Sequence, residues 1–327
     1  MIEDRIFASF DAVTSAGTLP ELCVSLLHEQ QHSWLQLSEG YAALKLVRVR
    51  EVHCDGFSVF LQFNPKRIIS SGARVDQQSI RKRACFLCPG NLPPEQKGVL
   101  YRKEFLVLCN PAPILDRHYT IAHVRHISQQ LDGFLGTFLE LAKDLSPTFT
   151  VFYNGPKCGA SAPDHMHFQA GPSGAIPIEK ESGIESRRQL RKNLNAVAVY
   201  TLRGLGRQVI VLEGGQRGGI EAALERLIAT MRKELGISEE PMVNILCSYR
   251  DAGWRLIIFP RRKHRPDIYF RKGNDRVLIS PASVDLGGLV VTPIEKDFET
   301  VSASMIQDIF NEVSLESIVV DNIIGEL

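Results

Sequence analysis

The run His165-Met166-His167-Phe168-Gln169 holds the densest chemistry in the chain. Read as a strand from His165 to Ala170, its period-two alternation puts His165, His167 and Gln169 on one face and Met166, Phe168 and Ala170 on the other. Two imidazoles and a carboxamide in a row suit phosphoryl chemistry. A neutral imidazole attacks phosphorus and becomes a covalent intermediate, while the amide donates to a non-bridging oxygen. The competing reading is an ordinary polar face on a solvated strand. Gly159-Ala160-Ser161 upstream favours chemistry, because small residues let backbone N–H groups approach a phosphate closely.

A second constellation is Cys85-Phe86-Leu87-Cys88 followed by Pro89-Gly90, a short knuckle that can aim both sulfurs at one ion. A closed structural zinc site needs four ligands, and His123, His126 and His165 are the available partners. The set Cys85, Cys88, His126 and His165 joins the knuckle to the His-x-His strand; the alternative is a pair of reduced cysteines in a turn. A thioredoxin-like redox pair fits less well, since no strand-to-helix opening surrounds it. The third feature is the basic run Arg261-Arg262-Lys263-His264-Arg265 between Pro260 and Pro266, suited to gripping a phosphate or to forming a solvated loop. Arg81-Lys82-Arg83 fits the solvated reading better. His118 is expected to be a hydrogen-bonded structural residue, Cys109 core, and His28, His32 and His53 surface or packing residues.

The elements that must position these residues follow from periodicity. Thr18-x-x-Glu21 with Pro20 opens a helix expected from Leu19 to Leu37. Two β-rich runs, Leu44 to His53 and Phe57 to Phe63, meet at the turn pair Asp55-Gly56, and a polar linker containing Ser70-Ser71-Gly72 runs from Ile68 to Arg83. Strands at Phe105 to Cys109 and Tyr119 to His123, a helix from Ser128 to Asp144, strand Thr148 to Tyr153, a loop and the His-x-His strand make one unit. A similar order recurs: Ala196 to Leu202, Gln208 to Leu212, a helix from Gly219 to Leu235, Met242 to Arg250, and Trp254 to Phe259. A final helix is expected from Glu295 to Val313.

Composition narrows the classes. With 38 Lys and Arg against 37 Asp and Glu, no global charge field for nucleic acid or an anionic membrane exists, so any anion site is local. No apolar run approaches the roughly 18 residues of a membrane span. The seven scattered cysteines suggest reduced thiols, and the expectation is a soluble cytoplasmic protein.

At these residues the sequence resembles the branch of the histidine-triad superfamily that contains galactose-1-phosphate uridylyltransferase, GDP-L-galactose phosphorylase and diadenosine tetraphosphate phosphorylase. That branch has His-x-His-x-Gln, and the form His165-Met166-His167-Phe168-Gln169-Ala170 looks most like the GDP-L-galactose phosphorylases. The resemblance implies that His167 is the nucleotidylated nucleophile and that Gln169 stands where hydrolytic relatives carry a third histidine. It also implies a structural zinc on Cys85, Cys88, His126 and His165. Gln62-Phe63-Asn64-Pro65-Lys66-Arg67 is similar to a Gln-Leu-Asn-x-x-Arg segment near the start of the GDP-L-galactose phosphorylases, Asn110-Pro111 to the family's base-pocket segment, and Asn154-Gly155 to the entry of its phosphate loop. Asn244-Ile245-Leu246, Trp254 and Phe259-Pro260-Arg261 resemble the second half of the dinucleoside polyphosphate phosphorylases. Two departures stand out: Asp164 precedes the first motif histidine in place of the usual Pro or Asn, and the region from Asn274 has no counterpart.

The fold expected is α+β and histidine-triad-like, two half-barrel-like antiparallel units with flanking helices, pseudo-duplicated. The segments are 1–75 (helix and hairpin), 76–180 (first unit with the catalytic strand), 181–275 (second unit) and 276–327 (extension). The activity expected is nucleotidyl transfer or phosphorolysis on a nucleoside diphosphate sugar or dinucleoside polyphosphate, with phosphate or a sugar phosphate as acceptor. His167 and Gln169 are the catalytic residues expected. Asn64, Arg67, Asn110, Asn154, Gly159, Ser161 and Arg261 are expected to bind substrate. The rivals are a nucleotide-binding regulatory module without turnover and a nucleotide hydrolase.

Overall fold

The computed structural model describes residues 2–12, 15, 17–68, 72 and 76–327; Ser70 and Ser71 of the expected linker lie outside the described residues. Strand β1 (Ile6–Phe10) precedes the helix Leu19–Ser33, whose start is set by a reciprocal cap. The Glu21 N–H donates to Thr18 Oγ1 at 3.4 Å and the Thr18 N–H donates to the Glu21 carboxylate at 2.9 Å. The helix stops short of Leu37 because Trp34 is extended (φ −126°, ψ 102°), which buries its indole and starts a second helix, Leu35–Leu44. The strand expected from Leu44 therefore begins only at Arg48. Strands β2 (Arg48–His53) and β3 (Ser58–Phe63) form the expected hairpin, with Gly56 of its turn at φ +81°.

The first unit contains β4 (Gly98–Tyr101), β5 (Phe105–Cys109), β6 (Tyr119–His123), the helix Leu135–Asp144, β7 (Phe149–Asn154) and β8 (His167–Pro172). The second contains β9 (Arg188–Leu194), β10 (Val197–Leu202), β11 (Ile210–Gly214), the helix Arg217–Leu235, β12 (Val243–Arg250) and β13 (Gly253–Pro260). In space the orders are β4-β5-β6-β8-β7 and β9-β10-β11-β13-β12, so each element of one unit has its counterpart in the other. Strands β7 and β12 pair antiparallel, Asn154 opposite Asn244 and Val151 opposite Cys247. That seam, with β1 added parallel to β4, merges the two units into one sheet of eleven strands among the described residues. A smaller sheet places β14 (Leu289–Thr292) parallel to β3, beside β2.

Alternation along the strands divides the interior in two. One face of the large sheet packs Val151, Tyr153, Met166, Phe168, Ile245 and Ile258 against the helices Leu19–Ser33, Leu135–Asp144, Arg217–Leu235 and Ser317–Glu326. On the other face, Val211, Leu246, Ile257 and Phe259 are covered by the small sheet and C-terminal helices through Leu61, Val290, Phe298 and Phe310. The expected helix Glu295 to Val313 is two, Glu295–Thr300 and Ala303–Val313, because Ser302 caps the second through its hydroxyl. No helix among the described residues is long and apolar enough to cross a membrane.

Candidate active site and metal cluster

Strand β8 begins at His167, and His165 stands in the turn before it, its N–H donating to the Ala162 carbonyl at 3.1 Å. His165 Nε2 donates to the His123 carbonyl at 2.7 Å, so Nδ1 carries the lone pair. That Nδ1 lies 3.3 Å from Cys85 Sγ and 3.6 Å from Cys88 Sγ, and His126 Nδ1 lies 3.2 Å from Cys88 Sγ. All four ligand atoms fall within 4.8 Å of one another. A tetrahedral ion with metal–sulfur bonds of about 2.3 Å and metal–nitrogen bonds of about 2.0 Å needs ligand–ligand edges of roughly 3.3 to 3.8 Å. Two soft thiolates and two imidazoles at such spacings can hold a metal ion. His123, the other histidine within reach, is excluded from the set: its ring accepts from the Arg125 N–H at 3.0 Å and its carbonyl orients His165.

His167 is held at three points. Its N–H donates to Gln129 Oε1 at 2.7 Å, its carbonyl accepts from Gln129 Nε2 at 3.0 Å, and its ring Nδ1 donates to the His165 carbonyl at 2.8 Å. The Nδ1 bond fixes the tautomer and leaves Nε2 with a bare lone pair. Burial pulls the imidazole down to about 4, so the ring is neutral at ordinary pH. Gln129 also reaches the Asn154 carbonyl at 2.9 Å, and this explains a shortened helix. Residues 128–134, expected to be helical, turn instead to bring Gln129 under β7 and β8, and the helix starts at Leu135.

Gln169, next along the same face, is oriented by His118. Ile114 N–H donates to His118 Nδ1 at 3.4 Å, so His118 Nε2 carries the proton and donates to Gln169 Oε1 at 2.9 Å. The amide NH2 of Gln169 is left as a donor. Burial, reinforced by the Arg67 charge, holds His118 down at about 3.

Asn154 is oriented from the second unit. Arg261 Nη1 donates to Asn244 Oδ1 at 2.5 Å, Asn244 Nδ2 donates to Asn154 Oδ1 at 2.7 Å, and the Ser283 N–H donates to the same oxygen at 2.9 Å. Because arginine only donates, the chain of bonds fixes both amides and leaves Asn154 Nδ2 unclaimed.

These groups border a cavity of about 660 Å³. His167, Gln169, Arg67, Asn110, Asn154, Gly159 and Ser161 all line it. Asn110 accepts from the Ala112 N–H at 3.0 Å and donates to Thr120 Oγ1 at 3.4 Å. Arg67 donates to the Ala112 carbonyl at 2.8 Å and keeps Nε buried without a partner. Gly159 has φ +112°, and a Cβ there would stand 2.7 Å from the Ala282 Cβ, so the loop fits only with glycine.

Two expected substrate residues sit behind the wall. Asn64 is buried, donating to the Pro113 carbonyl at 3.1 Å. Arg261 is 1% exposed, its guanidinium divided among Asn244 and the carbonyls of Pro281, Lys263, His264 and Val313. It grips protein where a phosphate was expected. Of the basic run, Arg262 pairs with Glu316 at 2.6 Å and Lys263 with Asp267 and Glu312, which leaves His264 and Arg265 to line the cavity. No motif in the sequence marks Gln129 or the wall formed by Ser280, Ala282, Ser283 and Asp285. Arg83, expected in solvent, lines the cavity as well.

Residues 26–172 match the family model described as a domain of unknown function (DUF4922), and residues 179–322 match the model described as GDPGP1-like, C-terminal domain. No curated protein matches the chain in sequence. Among solved structures, yeast Ap4A phosphorylase Apa2 aligns over 86% of this chain and 96% of its own, with 13% identity and a TM-score of 0.58. The same yeast enzyme in complex with AMP aligns over 89% and 96% with 15% identity and a TM-score of 0.56. Its complex with Ap4A aligns over 90% and 97% with 14% identity and a TM-score of 0.55. At such identities the likeness is one of fold, and it agrees with the His-x-His-x-Gln strand and the paired units. The chain has the fold of the yeast Ap4A phosphorylase, and its two successive halves match the DUF4922 and the GDPGP1-like C-terminal domain models.

Proposed function

We propose that this protein is a nucleotidyltransferase or phosphorylase acting through a covalent nucleotidyl-histidine intermediate on His167. One observation carries the reading: a neutral imidazole whose Nδ1 proton is held by the His165 carbonyl at 2.8 Å and whose Nε2 is bare at the wall of a cavity. In the first step the Nε2 lone pair attacks the α-phosphorus of a nucleoside diphosphate sugar or dinucleoside polyphosphate. The N–P bond forms, the bridging P–O bond breaks, and the departing phosphate takes the electron pair. In the second step an oxygen of inorganic phosphate or a sugar phosphate attacks the same phosphorus, the N–P bond breaks, and its electrons return to Nε2. The carbonyl on Nδ1 stabilises the positive ring between the two steps.

The Gln169 NH2 and the backbone from Gly159 to Ser161 stabilise charge growing on the non-bridging oxygens. Arg67, Asn110 and Asn154 hold the substrate around them. Cys85, Cys88, His126 and His165 would hold zinc, which ties the knuckle to the lead-in of the catalytic strand and supplies cross-linking alone. The yeast phosphorylase structures with AMP and Ap4A support a nucleotide as ligand. The test is mass spectrometry of intact protein after incubation with UDP-glucose, GDP-glucose, GDP-mannose and Ap4A. A nucleotidyl mass increase on wild type and none on His167→Ala is expected; no increase with any of them, or an equal increase in the variant, overturns the mechanism.

A further inference from the structure

Arg83 lies two residues before the first cysteine of the knuckle, and its guanidinium is pinned on two sides. Nη2 donates to the Ser161 carbonyl at 3.3 Å and to Asp164 Oδ1 at 3.1 Å, and the group lies over the Phe86 ring, 4.9 Å from its centroid. Nη1 is buried with no partner. Arg83 lines the same cavity as His167, alongside Gly159 and Ser161. The loop contact at Ser161 and the stack on Phe86 fix the plane of the fork, so the guanidinium is oriented before any ligand arrives. Asp164 offsets part of the charge but is bonded only to Nη2, and its other oxygen faces His126 Nε2 at 3.9 Å.

We propose that Arg83 is an anion-binding residue of the cavity, its guanidinium donating to a phosphoryl oxygen of the ligand presented to His167. The nucleotide identity of that ligand rests on the function proposed above; the anion recognition stands on Arg83 itself.

Calorimetric titration separates the two. The probes are pyrophosphate, GMP and AMP, with guanosine and adenosine as uncharged counterparts, against wild type, Arg83→Met and Arg83→Lys. Losing a charged hydrogen bond should weaken pyrophosphate and monophosphate binding about 10-fold to 100-fold in Arg83→Met, with nucleoside affinity unchanged. Arg83→Lys should recover part of the loss, since it restores charge without the fork. Unchanged phosphate affinity in Arg83→Met, an equal loss for nucleosides and nucleotides, or a wild type that binds no phosphate probe overturns the proposal. Arg83-dependent pyrophosphate binding in a protein whose His167 takes no nucleotidyl group would sustain the anion site and sink the transfer mechanism instead.

Discussion

The two units of the large sheet share one strand order and use the same face oppositely. In the first, that face carries Thr120, Asn154, His167 and Gln169 and opens on the cavity. In the second it carries Val211, Leu246, Ile257 and Phe259, sealed under the small sheet. The connections differ to match. Residues 155–166 between β7 and β8 form a long loop that supplies Gly159, Ser161 and His165 of the Cys/His cluster, whereas β12 and β13 are joined by Asp251 and Ala252 alone, both at positive φ as a tight hairpin turn requires. The first unit presents the polar groups of the proposed site, and the second supports them. The support is physical: Arg261 and Asn244 of the second unit set the amide of Asn154 in the first.

The comparison breaks most visibly at equivalent truncations. Phe259→Ala empties a packed site and should lower stability by about 3 to 5 kcal/mol. His167→Ala removes a ring that borders the cavity and leaves the His165 carbonyl without its donor, and should cost about 1 to 3 kcal/mol. Chemical denaturation of both measures the contrast, and similar losses would mean that the two faces are not divided between function and stability.

A subtler break lies at the seam. Asn244→Asp keeps an acceptor for Arg261 but loses the donor to Asn154 Oδ1 and to the Cys158 carbonyl and sets a carboxylate against that oxygen, leaving the Ser283 N–H alone to hold the Asn154 amide. Transfer should slow by about 10-fold to 100-fold, less than the full loss of a charge-stabilising donor, although Asn244 does not border the cavity. An unchanged rate would show that the seam holds the fold together without orienting the site.

How much of this was legible depends on the residue. The strand β8 face and the metal quartet could be read because local alternation and a fixed Cys-x-x-Cys spacing encode them. The position of His165 could not be read as such: alternation placed it in the strand, while its bonds to Ala162 and His123 put it in the preceding turn. The helix expected over 128–134 does not form, because Gln129 obeys tertiary bonds to β7 and β8 over local propensity. Strand β9, Arg-Gln-Leu-Arg-Lys-Asn-Leu, lies at a sheet edge and shows no clean apolar alternation. The basic run around Arg261 misled for a related reason: charge count cannot distinguish an arginine facing a ligand from one facing buried carbonyls.

The smallest expected effect sharpens the same contrast through pH. His118 belongs to the first unit, buried between the Ile114 N–H and Gln169 with the Arg67 charge nearby, and takes a proton only near pH 3. In the unfolded chain it would take one near 6.5. Between those values the unfolded state binds the extra proton, so acidification destabilises the fold. The loss attributable to this group runs at about 1.4 kcal/mol per pH unit, or roughly 2 kcal/mol from pH 6.5 to pH 5. His118→Gln, neutral throughout, should flatten the stability–pH curve by that amount. An unaltered slope would place the acid sensitivity elsewhere. A flattened slope together with a slower transfer step would tie one buried imidazole both to acid stability and to the orientation of Gln169, a coupling that the apolar face of the second unit has no group to reproduce.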